Sequence, residues 1–103
     1  MHAGVQPVHK LVAFGVSKHG VSYTFTASPT SEASYKVTFI PQRTGIPQPP
    51  TETFTSGGLR TKSGLVPDVN YRIQVVAVVG GVKSTAVTRD FTTEPDGKTA
   101  LTV

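Results

Sequence analysis

The sequence has 103 residues, contains no cysteine and no tryptophan, and is only 16% charged. Without cysteine the chain can form neither a disulfide nor a thiolate metal site, so cysteine usage assigns no redox compartment. No stretch approaches 18 consecutive apolar residues, and we therefore expect no transmembrane segment in this chain. The net charge of +4 is mild, and no basic run is long enough to predict a nucleic-acid partner.

Groups that could carry catalysis or hold a metal are few. The three histidines, His2, His9 and His19, have no cysteine and no His-x-Glu-x-x-His pattern beside them. No G-x-S-x-G sequence occurs, and the pairs Gly57–Gly58 and Gly80–Gly81 indicate hairpin turns rather than phosphate-binding loops at a helix start. We predict that the protein is not an enzyme and has no catalytic, cofactor-binding or metal site.

Valine and threonine contribute fifteen residues each, and ten glycines and eight prolines punctuate the chain at short intervals. β-branched side chains suit pleated strands better than helices, so this composition predicts an all-β domain. Apolar and polar residues alternate in VSYTFTA from Val21, in YKVTF from Tyr35, and in the run that begins at Tyr71. The two-residue period is typical of half-buried strands, and we interpret the last run as the central strand.

Turn residues and prolines divide the chain into seven predicted strands. The proline-rich connection PQRTGIPQPP at 41–50 could not lie within a central strand, and TETFTS at 51–56 reads as an edge strand. Seven short strands at this spacing predict a sandwich of two sheets. Their approximate ranges are 8–16, 21–27, 35–39, 51–56, 59–63, 71–78 and 83–93.

The segment GLVPDVNY at 64–71 resembles the L-x-P-x-x-x-Y signature of fibronectin type III domains, carried here by Leu65, Pro67 and Tyr71. In that family the tyrosine begins the sixth strand and its hydroxyl bonds back to the preceding loop, an arrangement called the tyrosine corner. The resemblance extends over residues 7–94. It implies a seven-stranded, immunoglobulin-like sandwich with fibronectin type III topology, in which Leu65 fills the core and Pro67 stiffens the turn.

Two departures from the family pattern matter for packing. The family usually has a tryptophan in its second strand, whereas Phe25 occupies the most similar position here, with Pro29 one residue later than the usual spacing. Glycine commonly follows the corner proline, but this chain has Asp68. We expect the turn to accept Asp68 if its φ is negative or if the aspartate adopts the left-handed conformation.

The resemblance implies a spacer or protein-binding module from the extracellular part of a receptor, adhesion or matrix protein. The Arg-Gly-Asp tripeptide that binds integrins in this family is absent, because the corresponding turn reads GGVKS. Asn70 precedes Tyr71 and Arg72, so it is not an N-glycosylation acceptor. The protein partner is not identified by the sequence.

Residue parity supplies a first binding hypothesis. Ile40 at the end of the third strand, and Val76 and Val78 in the sixth, share the outward parity of polar neighbours. They could form an apolar patch with a basic rim that includes Lys36 and Arg72. The simpler alternative is that valine merely suits an exposed strand.

A second binding hypothesis is that cations on the same face bind a polyanion, such as heparan sulfate, or an acidic membrane surface. Scattered lysines are more often an ordinary solvated face. The cations concerned are Lys36, Arg72 and Lys83, together with Arg43 and Arg60.

The expected organisation is an N-terminal extension at 1–6, the domain at 7–94, and a tail or inter-domain linker at 95–103. An alternative parent is a secreted, multi-domain bacterial carbohydrate-active enzyme, in which this domain would be a linker module. The N-terminus MHAGVQPVHK has no apolar signal-peptide core, so we read the chain as a domain excised from a larger protein.

Overall fold

The computed structural model describes residues 4–96, which form β-strands and no helix. His2, part of the predicted N-terminal extension and most of the predicted tail lie outside the described residues. Val5 packs against the core, and the backbone amide of Gln6 donates to Thr30 Oγ1 at 3.0 Å. The strands are β1 His9–Phe14, β2 Val21–Thr26, β3 Ser34–Pro41, β4 Glu52–Phe54, β5 Gly58–Lys62, β6 Asn70–Val79, β7 Val82–Lys83 and β8 Val87–Thr92.

The strands make two antiparallel sheets that pack face to face. One sheet has the order β1-β2-β5, and the other has the order β4-β3-β6-β7, with β8 also paired to β6. β6 is the longest strand and lies between β3 on one side and β7 and β8 on the other. The prediction of an all-β, two-sheet sandwich is confirmed, and β4 is an edge strand as expected.

The predicted last strand is divided in two by a β-bulge. Lys83 pairs with Val78, and the next pair is Val87 with Val75. Three residues, 84–86, therefore lie opposite two residues of β6, so the last strand contains one extra residue. Ser84 stabilises the irregular segment, because its Oγ accepts the backbone N–H of Ala77 at 3.0 Å and its own amide donates to the Ala77 carbonyl at 2.8 Å.

The core is built from the inward faces of both sheets, as the alternation predicts. Its centre is formed by β6, where Ile73, Val75 and Ala77 are completely buried. Phe25 is also buried and lies against Tyr35, with ring centroids 5.3 Å apart. A phenylalanine and a tyrosine thus pack the region in which the family usually has a tryptophan.

The edge between β4 and β5 is closed by charged side chains rather than by apolar ones. Lys62 Nζ of β5 donates to Glu52 Oε2 of β4 at 2.9 Å, and only 12% of the Lys62 side chain is exposed. The Arg60 guanidinium lies 4.0 Å from the centroid of the Phe54 ring and donates to the Ser56 carbonyl at 2.8 Å. Because β4 and β5 belong to different sheets, these contacts join the two layers.

Candidate interaction face and the corner that supports it

The loop before β6 is anchored to the core through the tyrosine hydroxyl. The backbone N–H of Val66 donates to Tyr71 Oη at 3.0 Å, while the Tyr71 ring is 1% exposed and stacks on Phe91 with centroids 5.7 Å apart. Leu65 is 2% exposed and packs in the core, and Pro67 is half-buried in the turn. The three residues of the motif therefore lie together at the entry to β6.

Thr93 is a second anchor of this loop, and no sequence pattern singled it out. It is 1% exposed, its Oγ1 donates to the Val66 carbonyl at 2.7 Å, and the same Oγ1 accepts the Val69 amide at 2.9 Å. A threonine after the last strand resembles the other fourteen threonines of the chain. Only its long-range hydrogen bonds distinguish Thr93. Its hydroxyl satisfies the Val66 carbonyl and the Val69 amide, which have no strand partner where the chain crosses between the sheets.

Asp68 adopts the left-handed conformation, with φ of 58°. This is the second of the two ways in which the turn could accept a residue other than glycine, since aspartate tolerates this region better than most side chains. Its backbone amide donates to the Glu94 carbonyl at 3.1 Å. The chain segment after β8 therefore holds the corner loop through Thr93, which bonds Val66 and Val69, and through the carbonyl of Glu94, which accepts the Asp68 amide.

The candidate interaction face is the solvent-facing side of the sheet formed by β4, β3, β6, β7 and β8, called the outer face below. Antiparallel register sets its rows, because directly opposed residues project from the same side of a sheet. Val76 lies opposite Lys36, and Val78 lies between Ser34 on β3 and Lys83 on β7. Val76 and Val78 are half-buried, and both lysines are exposed.

Ile40 does not adjoin the two valines. It lies opposite Arg72, and the polar row of Thr38 and Gln74 separates it from Val76. Two rows of a sheet span about 13 Å along the strands, which is too far for a direct contact between Ile40 and Val76. The structure thus brings Val76 and Val78 together and leaves Ile40 at the opposite end of the face.

Two of the predicted basic residues are already engaged. Arg72 donates to both carboxylate oxygens of Asp90, through Nε at 2.8 Å and through an Nη atom at 3.1 Å. These hydrogen bonds and the opposite charge raise the pKa of Arg72 and lower the pKa of Asp90. Arg60 lies in the other sheet, where its guanidinium contacts the Phe54 ring, so it does not contribute to the outer face.

A shallow groove of about 270 Å³ lies on the outer face where the β-bulge interrupts the last strand. Lys36 and Lys83 make no ion pair within residues 4–96. Two of its lining hydroxyls, Thr38 Oγ1 and Thr51 Oγ1, are 2.9 Å apart. The groove is lined by Lys36, Thr38, Thr51, Gln74, Val76 and Lys83.

The opposite sheet exposes apolar side chains that the sequence did not single out. Leu59 is 68% exposed and Phe14 is 46% exposed. Leu59 pairs with Thr24, and Phe14 pairs with Ser22, so both project outward from the sheet β1-β2-β5. The alternation in LRTKS would have placed Leu59 inward, but tertiary pairing places Arg60 on that side instead.

The histidines within the described range do not form a metal site. His19 Nδ1 lies 3.0 Å from the Leu65 carbonyl, and His9 is exposed on β1. Between residues 4 and 96, no group of three or more His, Cys, Asp or Glu side chains is arranged to hold a metal ion. In the same range, no helix has the length and apolar character needed to cross a membrane.

Comparison with solved structures identifies the fold. A redesigned β-sandwich protein superposes with a TM-score of 0.79 at 24% identity, covering 88% of this chain and 97% of that chain. The fibronectin type III domain of the human collagen α-1(XX) chain gives 0.76 at 18% identity, with 93% and 91% covered. Domains d3–d4 of the extracellular region of rat CD45 give 0.71 at 15% identity, with 88% and 51% covered.

The chain has the fibronectin type III fold, an immunoglobulin-like sandwich of two antiparallel sheets. No protein-family profile matches the sequence, and no curated protein matches it. At these identities the similarity is one of architecture. It agrees with the predicted resemblance in the loop and central strand, which depends on a few positions that the geometry of the sandwich requires.

Proposed function

We propose that the domain is a non-enzymatic spacer and protein-interaction module in the extracellular part of a larger cell-surface receptor or adhesion protein. The outer face is its contact surface. The observation that carries this proposal is that Val76 and Val78 lie half-buried on the solvent-facing side of the central strand, beside two exposed lysines that have no ion pair in the described part of the chain.

The named neighbours support the extracellular location. One of them is part of the extracellular region of rat CD45, and this chain corresponds to about half of that two-domain fragment. Another is a domain of a human collagen chain. A module of this kind works through the surface that it presents and through the separation that it imposes on its neighbours, so it needs no enclosed pocket.

An antibody raised against the folded chain tests the location and the parent protein. It should stain intact, non-permeabilised cells of the source organism and should detect a protein much larger than 10.9 kDa on a denaturing gel. Staining only after permeabilisation would overturn the extracellular assignment. Mass spectrometry of the immunoprecipitate identifies the flanking domains, and a carbohydrate-active catalytic domain among them would favour the bacterial linker alternative.

Heparan sulfate binding is the second alternative for the same face. Two observations argue against this hypothesis. The Arg72–Asp90 pair neutralises one predicted cation and would present a carboxylate to a polyanion. Arg60 lies in the other sheet. Ionic strength separates the two modes. A polyanion complex should weaken steeply between about 20 and 150 mM salt, whereas a contact that combines the valines with only two lysines should weaken much less.

A further inference from the structure

We infer that the groove over Val76 recognises a carboxylate side chain, a glutamate or an aspartate, presented by the protein partner. This inference rests on the proposed role of the outer face as a contact surface and specifies the chemistry of the partner. The stem of the acidic side chain lies against Val76, and its carboxylate lies between Lys36 and Lys83.

The positions of the two lysines provide the charge. Lys36 is on β3 and Lys83 is on β7, so they stand on opposite sides of β6 and are displaced by one row along it. The spacing of neighbouring strands and of successive rows puts their Cα atoms roughly 12 Å apart, a distance that two extended lysine side chains can bridge around a bound anion. Asp90 is held by Arg72, so among residues 4–96 the outer face has no free carboxylate to neutralise the two lysines.

The remaining polar groups of the groove can complete a site for an anion. The side-chain amide of Gln74 makes no hydrogen bond within the described residues and has two N–H donors to offer. The paired hydroxyls of Thr38 and Thr51 can share only one hydrogen between them, which leaves the other hydroxyl hydrogen free to donate. Ammonium, amide and hydroxyl donors therefore surround a single apolar wall.

The β-bulge leaves one side of Val76 without a ladder partner. Val76 has Lys36 as its neighbour on β3, but on the other side residues 84–86 leave the regular ladder. No directly opposed strand residue covers Val76 from that side. The opening is small, about 270 Å³, so it fits one side chain better than an oligosaccharide.

A discrete carboxylate suits these groups better than a sulfated polysaccharide does. A polyanion needs several cations along its length to gain strong electrostatic attraction, whereas this groove has two lysines, and the next cation along the face is already paired. The aliphatic stem of glutamate or aspartate also uses the apolar surface of Val76, which a sulfate group cannot do.

Nuclear magnetic resonance titration of the intact 103-residue chain tests the inference. The probe is the blocked pentapeptide acetyl-Thr-Glu-Val-Glu-Thr-amide, and its matched control replaces both glutamates with glutamine. We expect saturable shifts of the Lys36, Gln74, Val76 and Lys83 amides with the acidic peptide. The glutamine peptide and the variants Lys36→Glu and Lys83→Glu should each bind at least tenfold more weakly.

The matched control variant is Arg43→Glu, which makes the same change in net charge at an exposed loop position. It should retain at least half of the affinity, and equal weakening in Arg43→Glu and Lys36→Glu would show general charge attraction and overturn the inference. The same result follows if the glutamine peptide binds as well, if the groove amides do not shift at 10 mM acidic peptide, or if a heparin tetrasaccharide shifts them and the acidic peptide does not. None of these results affects the antibody test of the extracellular module.

Discussion

The backbone amide of Val66 and the hydroxyl of Tyr71, five positions apart in the sequence, form a 3.0 Å hydrogen bond. The amide belongs to a segment that crosses between sheets and has no strand partner. The hydroxyl belongs to a ring that is otherwise in the core. The N–H gains an acceptor and the hydroxyl gains a polar partner. The hydrogen bond therefore fixes the loop against the first residues of β6.

Tyr71→Phe should destabilise the domain by about 1–3 kcal/mol, because the ring remains packed while the Val66 N–H loses its acceptor. Chemical denaturation at pH 7 measures the difference. Tyr23→Phe is the control, since it removes a hydroxyl from an equally buried ring, 1% exposed, without altering the loop. Equal midpoints for Tyr71→Phe and the native chain would remove the structural role of the corner hydroxyl.

Leu65→Ala should have a larger effect, about 2–5 kcal/mol, through the cavity left by a side chain that is 2% exposed. Val82→Ala provides the comparison, because Val82 is 54% exposed and its truncation should change stability by less than about 0.5 kcal/mol. Similar losses in the two variants would contradict the placement of Leu65 in the core.

Asp68 tests the left-handed turn. Asp68→Gly should leave the free energy of unfolding within about 0.5 kcal/mol or raise it, because glycine adopts a φ of 58° without steric strain. Asp68→Val should lower it by about 1–3 kcal/mol, since a β-branched residue is strained in that conformation. Asp68 is exposed, so packing contributes little to either value. Equal stability of Asp68→Gly and Asp68→Val would show that the backbone at position 68 does not keep the left-handed conformation.

Two valines on opposite faces of β6 should differ in how well they tolerate lysine. Val75 is completely buried, and Val75→Lys places an unpaired ammonium in the core, which should unfold the domain or destabilise it by several kcal/mol. Val78→Lys should change stability by only about 0.5 kcal/mol, although the new charge lies opposite Lys83. Thermal melts distinguish the two, and a severe loss in Val78→Lys would mean that the outer face is not free.

Tyr23 should make the domain sensitive to alkali. Burial, reinforced by the charge of Glu52, raises the pKa of Tyr23 from 10.0 to about 12. The folded chain therefore holds this proton more tightly than the unfolded chain, so the contribution to stability is complete below pH 10 and is lost as the pH rises to 12. The expected loss is about 2–3 kcal/mol.

Tyr23→Phe is the matched control for this pH dependence. Every other ionisable side chain is the same in both proteins, so the difference between the two stability curves isolates the phenol. The variant should lose less stability than the native chain between pH 10 and 12. Parallel curves would indicate that Tyr23 ionises as readily in the folded chain as in the unfolded one.

Most of the fold could be predicted from the sequence. Apolar residues recur every second position in the strands, and every second side chain of a strand faces the core. The run from Tyr71 placed Ile73, Val75 and Ala77 inward, and they are buried. It also placed Val76 and Val78 outward, where they lie with Lys36. The turn signals separated the strands, and one short motif indicated how the loop enters the central one.

The remaining features depend on partners that are distant in the sequence. The bulge after Lys83 lies in VKSTAV, which has no glycine or proline to mark it, and the extra residue is apparent only when β8 is aligned with β6. The groove beside the bulge could not be predicted either, because its lining residues come from separate strands. Arg60 alternates like an outward residue of an edge strand, but Phe54 of the other sheet attracts its guanidinium to the inner side.

The single extra residue at 84–86 also determines which side chains of β8 face the core. Continued without it, the register of β7 would bring Phe91 opposite Asn70, on the solvent side, and would turn Thr92 toward the core. With it, Phe91 reaches Tyr71 and Thr93 reaches the corner loop. Deletion of Thr85 or Ala86 would leave two residues opposite two residues of β6, so the ladder would become regular and Phe91 would stay opposite Tyr71. The extra residue, rather than any side chain of the bulge, therefore reverses the inward and outward alternation of the sequence between β7 and β8.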